Sequence, residues 1–108
     1  MNPETDIYIG CDHDVLIEGA KKRAEGAFLN AADCAWALLD ATLALVDPAA
    51  TGTLTAAGPG GNYAGVIDKT YTAMLARNAT YFVRITFAEA GYEDTRYLER
   101  TAKLRGKT

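Results

Sequence analysis

Cys11-Asp12-His13-Asp14 places a thiol, an imidazole and two carboxylates in four consecutive residues. Two chemistries could use them. A metal site would take sulfur, nitrogen and oxygen ligands, and a His–Asp pair could move a proton. Both need convergence. His13 is the single histidine of the chain, so a metal must find its third and fourth ligands elsewhere. On an extended strand Cys11 and His13 point to one side, and Asp12 and Asp14 to the other, which splits the set. The tetrad is therefore expected to be a polar turn leading into a strand. No catalytic, cofactor-binding or metal-ligating residue is assigned.

The other short signals with a chemical reading fail in similar ways. Gly58-Pro59-Gly60-Gly61-Asn62 has the glycine content of a phosphate-cradling loop, but lacks the Lys-Ser/Thr pair and the helix that must follow. Asn78-Ala79-Thr80 fits a glycosylation acceptor, yet no secretory signal opens the chain, so turn chemistry is the expectation. Cys11 and Cys34 are too few for a disulfide scaffold. They read as reduced thiols of a cytoplasmically made protein, with one bridge between neighbouring strands left as an alternative.

With 108 residues, 49% of them hydrophobic, the chain suits one domain with one core. Residues 1–6 are expected to be a flexible lead-in and 105–108 a flexible tail. The net charge of −3 argues against a nucleic-acid partner. No apolar run approaches about 18 residues, so no membrane span is expected. From Asp94 onward five basic residues face two acidic ones, a net of +3, which leaves −6 on the rest. Arg96, Arg100 and Lys103 in that basic segment are candidate partner contacts. So are Pro59 and Tyr63, at the Gly-rich loop.

The elements that position these residues read as strands. Ile7 to Gly10 could pair at a sheet edge, and Val15 to Glu18 forms a first full strand. Thr51 to Ala57 and Tyr63 to Asp68 flank the Gly-rich loop as a hairpin. Lys69 to Leu75 is expected to contain one helical turn or a crossover, with Tyr71, Met74 and Leu75 packing inward. Glu89 to Asp94 is an acidic turn. Thr95 to Leu104 alternates as a last strand, with a C-terminal helix as the rival. Residues 31–46 are the ambiguous stretch. Their Ala and Leu content favours helix by a small margin. Two strands broken at Asp40-Ala41 also fit, with Cys34, Trp36 and Leu38 on one face.

Leu75 to Phe87 decides the matter. Arg77-Asn78-Ala79 is a turn, followed by Tyr81, Val83, Ile85 and Phe87 on one face and Phe82, Arg84 and Thr86 on the other. A Leu six residues before a Tyr that opens such a strand resembles the tyrosine corner of immunoglobulin-like and fibronectin type III sandwiches. Trp36 resembles the core Trp of the latter. Val83 stands where antibody domains carry the second cysteine, so their disulfide is not expected. The predicted fold class is all-β, an immunoglobulin-like antiparallel β-sandwich of about seven strands. Trp36, Tyr81, Val83 and Ile85 are its fold-critical residues.

Short motifs spread over residues 7–104 also resemble a group of small tailed-bacteriophage proteins encoded among head and tail genes. They are Tyr8-Ile9-Gly10-Cys11-Asp12-His13, Gly26-Ala27-Phe28-Leu29-Asn30-Ala31-Ala32, Gly60-Gly61-Asn62-Tyr63-Ala64-Gly65-Val66-Ile67 and Thr80-Tyr81-Phe82-Val83-Arg84-Ile85. The basic Lys21-Lys22-Arg23 loop and the Ala/Leu-rich second strand depart from that pattern. The resemblance implies a non-enzymatic structural component of a virion, assembled in the cytoplasm of a bacterial host. It would be a head–tail neck (connector or collar) or tail accessory subunit in multiple copies, or a capsid decoration protein. Its partners would be copies of itself and portal, tail or capsid subunits. An adhesion or carbohydrate-binding surface module is the alternative, with Tyr63, Tyr71, Tyr92 and Tyr97 as a candidate aromatic platform.

Overall fold

The computed structural model describes residues 6–20, 29, 32–57, 60–89 and 91–104. Seven strands and one helical turn follow in order. They are β1 (Asp6–Tyr8), β2 (His13–Ile17), β3 (Asp33–Asp40), β4 (Thr51–Ala56), β5 (Tyr63–Ile67), α1 (Lys69–Thr72), β6 (Thr80–Glu89) and β7 (Tyr92–Lys103). They form one sheet in the order β1-β7-β6-β3-β4-β5-β2, curled until it nearly closes into a barrel. All pairings are antiparallel except β1 on β7.

The middle of the sheet is why residues 33–40 are strand despite their composition. β6 pairs β3 along its whole length, from Asp33↔Ala88 to Asp40↔Tyr81. On the other edge β4 pairs it from Cys34↔Leu54 to Ala37↔Thr51. A segment bonded on both edges has its backbone N–H and C=O groups taken up by the two ladders, and this tertiary context overrides helix propensity. The second strand expected after Asp40 does not form. The chain turns there instead, with the Asp40 carboxylate accepting from Thr42 N at 2.9 Å, Thr42 Oγ1 at 2.6 Å and Ala44 N at 3.1 Å. Only the isolated bridge Leu39↔Leu45 remains.

Inward side chains of the strands make one core. Trp36, Leu38, Val83, Ile85 and Phe87 meet Val15, Ile17, Leu54, Tyr63 and Ile67 there. Edge-to-face aromatic pairs join Trp36 to Tyr71 at 6.2 Å between centroids and Tyr63 to Phe87 at 5.5 Å. β4 makes room for the indole with Gly52, where a Cβ would lie 2.5 Å from Trp36 Nε1.

The corner before β6 forms as its sequence predicts. Asn78 takes a positive φ of 68° and donates its N–H to Ala102 O at 2.7 Å. Tyr81 is buried, and its hydroxyl accepts the Ala76 N–H, five residues upstream, at 2.7 Å. Tyr81→Phe leaves that half-buried N–H without its partner, and should cost about 1–3 kcal/mol in a urea titration.

Several boundaries differ from the sequence reading. Asp6, expected in a flexible lead-in, is the first residue of β1, because β1 finds a parallel partner in β7 at Asp6↔Thr101. β7 starts at Tyr92, so Glu93 and Asp94 belong to the strand rather than to the turn. Met74 is exposed, and in this segment only Thr72, the last residue of α1, and Leu75 beyond it are buried. The expected β4–β5 hairpin forms with a short ladder, Thr55↔Ala64 and Ala56↔Tyr63, and Ala57 N donates to Asn62 O at 2.7 Å beside the loop. Residues 21–28 and the 105–108 tail lie outside the described residues.

Candidate functional site

The polar tetrad works as a clasp. Asp12 Oδ1 accepts the Lys69 N–H at 2.8 Å, and Thr72 Oγ1 donates to Cys11 O at 2.7 Å. Asp68, the N-cap of α1, accepts the Thr70 N–H at 2.9 Å. Two carboxylates thus take the N–H groups that the first turn of α1 leaves open. Asp12 thereby fixes the β1–β2 turn to the segment that delivers Tyr81. His13 and Asp14 have already entered β2, opposite Ile67 and Val66. Among the described residues no three His, Cys, Asp or Glu side chains come together as a metal site.

Hydrogen bonds from Thr70 hold the Asp68 carboxyl below its ordinary pKa, and those from Thr42 and Ala44 do the same for Asp40. Any contribution they make to stability is present above the ordinary carboxylate range and fades as pH falls below it. Both groups lie at the surface, so the effect is small. Burial pushes the Cys34 thiol up to about 11, with Arg96 pulling weakly the other way. The folded state holds that proton more tightly than the unfolded chain. Its contribution is whole below about pH 9 and lost as pH rises towards 11. Cys11 and Cys34 are both free thiols.

The candidate partner contacts separate into distinct cases. Tyr63 is corrected outright: it is 1% exposed and belongs to the core. Its hydroxyl donates to Leu29 O and accepts the Ala32 N–H at 3.0 Å, so it pins the segment leading into β3. Pro59 lies outside the described residues. Arg96 is half-buried on the core side of β7, 5.3 Å from the Phe87 ring and 3.6 Å from Asp94 Oδ2. Its charge is used within the chain. Arg100, also half-buried, donates from Nη1 to Glu99 O at 2.9 Å, and Lys103 Nζ reaches Asn78 Oδ1 at 3.4 Å. Of the four tyrosines considered as a glycan platform, only Tyr97 is largely exposed, at 50%. Tyr71 and Tyr92 pack against the core.

Two outward faces remain, and sequence reasoning passed over both. On the outer side of the β2–β5 pair, Leu16 is 60% and Val66 51% exposed, beside Ala64 and Asp14. The signal was available: with Val15 and Ile17 inward, Leu16 must point out. The second face is the outer side of β3-β6-β7. There Arg84 stands across from Tyr97, and Phe82 across from Glu99. Arg84 Nε is buried and makes no hydrogen bond among the described residues. Ala37, the neighbour of Arg84 on β3, is buried although it faces outward. An arginine stem is long enough to cover it.

Comparison with protein-family models, curated proteins and solved structures gives no match.

Proposed function

We propose that this chain is a non-enzymatic structural subunit of a tailed-phage virion, built as an immunoglobulin-like domain. The β2–β5 pair and the β3-β6-β7 set correspond to the B–E and C–F–G pairings of that fold. Trp36 on the third strand and Tyr81 at the start of the sixth support that reading. The observation that carries the assembly role is the pair of exposed apolar side chains Leu16 and Val66 on a regular strand face. Exposed apolar side chains that adjoin on one strand face favour contact with another protein. The phage-like motifs give that contact its setting, with portal, tail or capsid subunits as neighbours and a neck or tail accessory position.

Immunogold labelling of purified virions tests both membership and place. Label at the head–tail junction or tail is the expected result, and label over the capsid would make this a decoration protein. Particles from which the chain is absent by mass spectrometry would sink the proposal.

A further inference from the structure

We propose that the open edge of β2 takes an extended strand of another protein, one that sets a cation, an apolar residue and a second cation against Asp14, Leu16 and Glu18. This rests on the assembly role proposed above and names the kind of partner. The sheet ends at β2. β5 pairs one edge, from His13↔Ile67 to Ile17↔Tyr63, and among the described residues no strand pairs the other. In an antiparallel pair alternate residues turn their N–H and C=O groups away from the partner, so the outer edge of β2 presents a row of donors and acceptors. Another backbone fits such a row, and strand addition is the way it docks. β2 has no proline, its ladder to β5 has no bulge, and its middle is Val15-Leu16-Ile17. Apolar surface adjoins the edge on both sides. Leu16 and Val66 are exposed beside Ala64 on the outer face, and Leu16, Ile17 and Leu98 line a groove with Glu18 and Arg100. β1 pairs only Thr101 to Lys103 of β7, so it stops short of Leu98 and Arg100. An added strand would bury alternate side chains on each of these surfaces.

Charge selects the strand. Asp14, Leu16 and Glu18 share one face at two-residue steps, and all three are exposed. Asp14 has Val66 across the ladder rather than a cation, and Leu16 has Ala64. Arg100 shares the groove with Glu18, so Asp14 is the more demanding of the two acids. A second copy of β2 is rejected. With Leu16 against Leu16 in an antiparallel pair, Asp14 would face Glu18, and like charges directly opposite destabilise a ladder. A strand that reads Lys-x-apolar-x-Lys places opposite charges there instead. That pattern is the same in both directions, so it serves parallel and antiparallel docking alike.

Nuclear magnetic resonance titration of the isotope-labelled full chain with synthetic peptides tests this. One peptide is built on Lys-Thr-Val-Thr-Lys and a second on Glu-Thr-Val-Thr-Glu. A third, on Lys-Thr-Pro-Thr-Lys, keeps the charges but has a proline that cannot donate to a ladder. The first should shift the amides of Val15 to Glu18 and saturate below about 1 mM, and the other two should bind about tenfold more weakly or worse. The double variant Asp14→Lys with Glu18→Lys should invert the preference and take the Glu peptide about tenfold more tightly than the Lys peptide, which also shows that the variant folds. No shift at β2 with the first peptide at about 1 mM overturns the inference. Equal binding of the proline peptide, or an unchanged preference in the double variant, does the same. Shifts at β2 that grow with the concentration of the chain alone would give the edge to a second copy and also overturn it. Peptide binding at β2 with no virion label would remove the structural role and leave the strand site standing, whereas a chain present in virions whose β2 ignores the first peptide would do the reverse.

Discussion

Tyr63→Phe should lower the free energy of unfolding by about 2–4 kcal/mol, more than the change at Tyr81. The Tyr63 hydroxyl serves two backbone groups at once, the Leu29 carbonyl and the Ala32 N–H. The Leu29 bond is buried and the Ala32 bond half-buried. Phenylalanine keeps the ring and its edge contact with Phe87. What it loses is the partner of both groups. A buried carbonyl left unpaired costs about 1–3 kcal/mol, and the half-buried N–H somewhat less because water reaches it. The midpoint in urea should fall with little change in slope, since the surface exposed on unfolding is nearly the same. A loss under about 0.5 kcal/mol would mean that the hydroxyl does not hold the chain there.

The largest effect of a single added methyl is expected at Gly61. Its φ is 73°, and an added Cβ would sit 2.2 Å from Ala20 O and 2.7 Å from Ala20 N. Those atoms cannot swing aside, because Ala20 N donates to Gly61 O at 2.9 Å and Ala20 O accepts from Leu29 N at 2.8 Å. Gly61→Ala therefore adds a clash with fixed backbone to the strain of a left-handed alanine, which alone costs about 1–2 kcal/mol. The total should exceed about 3 kcal/mol, and the variant should be recovered largely unfolded or aggregated. Gly60 supplies the control. Its φ is 93°, but among the described residues the nearest atom to an added Cβ is Asn62 Nδ2 at 3.9 Å. Gly60→Ala should show the strain without the clash. Equal losses at the two sites, read from urea titrations of both variants, would show that Ala20 moves freely.

The contrast between Tyr81 and Tyr63 shows which parts of this fold were legible in the sequence. The Tyr81 corner is local: Ala76, Asn78 and the tyrosine lie within six residues, and the β alternation follows at once. It could be read without knowing any tertiary contact. Tyr63 looked like a surface residue beside a Gly-rich loop. Its partners lie 34 and 31 residues away, and no local pattern announces a contact of that kind. Residues 33–40 failed locally for the same reason. Their Ala and Leu content is helical, and only strands on both edges make them β. The polar tetrad reads as a turn leading into a strand, and His13 and Asp14 do enter β2, but Asp12's acceptance of the Lys69 N–H spans 57 residues and was out of reach. The outward faces were partly legible. Leu16 follows from alternation, whereas the relation of Arg84 to Tyr97 depends on the β6–β7 register.

The parallel pairing of β1 with β7 bears on how the domain carries force. Asp6 to Tyr8 run beside Thr101 to Lys103 in the same direction, and Ile9 N extends the ladder to Lys103 O at 2.9 Å. A pull that draws Asp6 and Lys103 apart acts along this ladder rather than across it. The hydrogen bonds are then loaded together in shear, instead of opening one at a time like a zip. A subunit strung between neighbours through these two strands would resist tension as a unit, with the shortest strand of the sheet acting as its mechanical clamp.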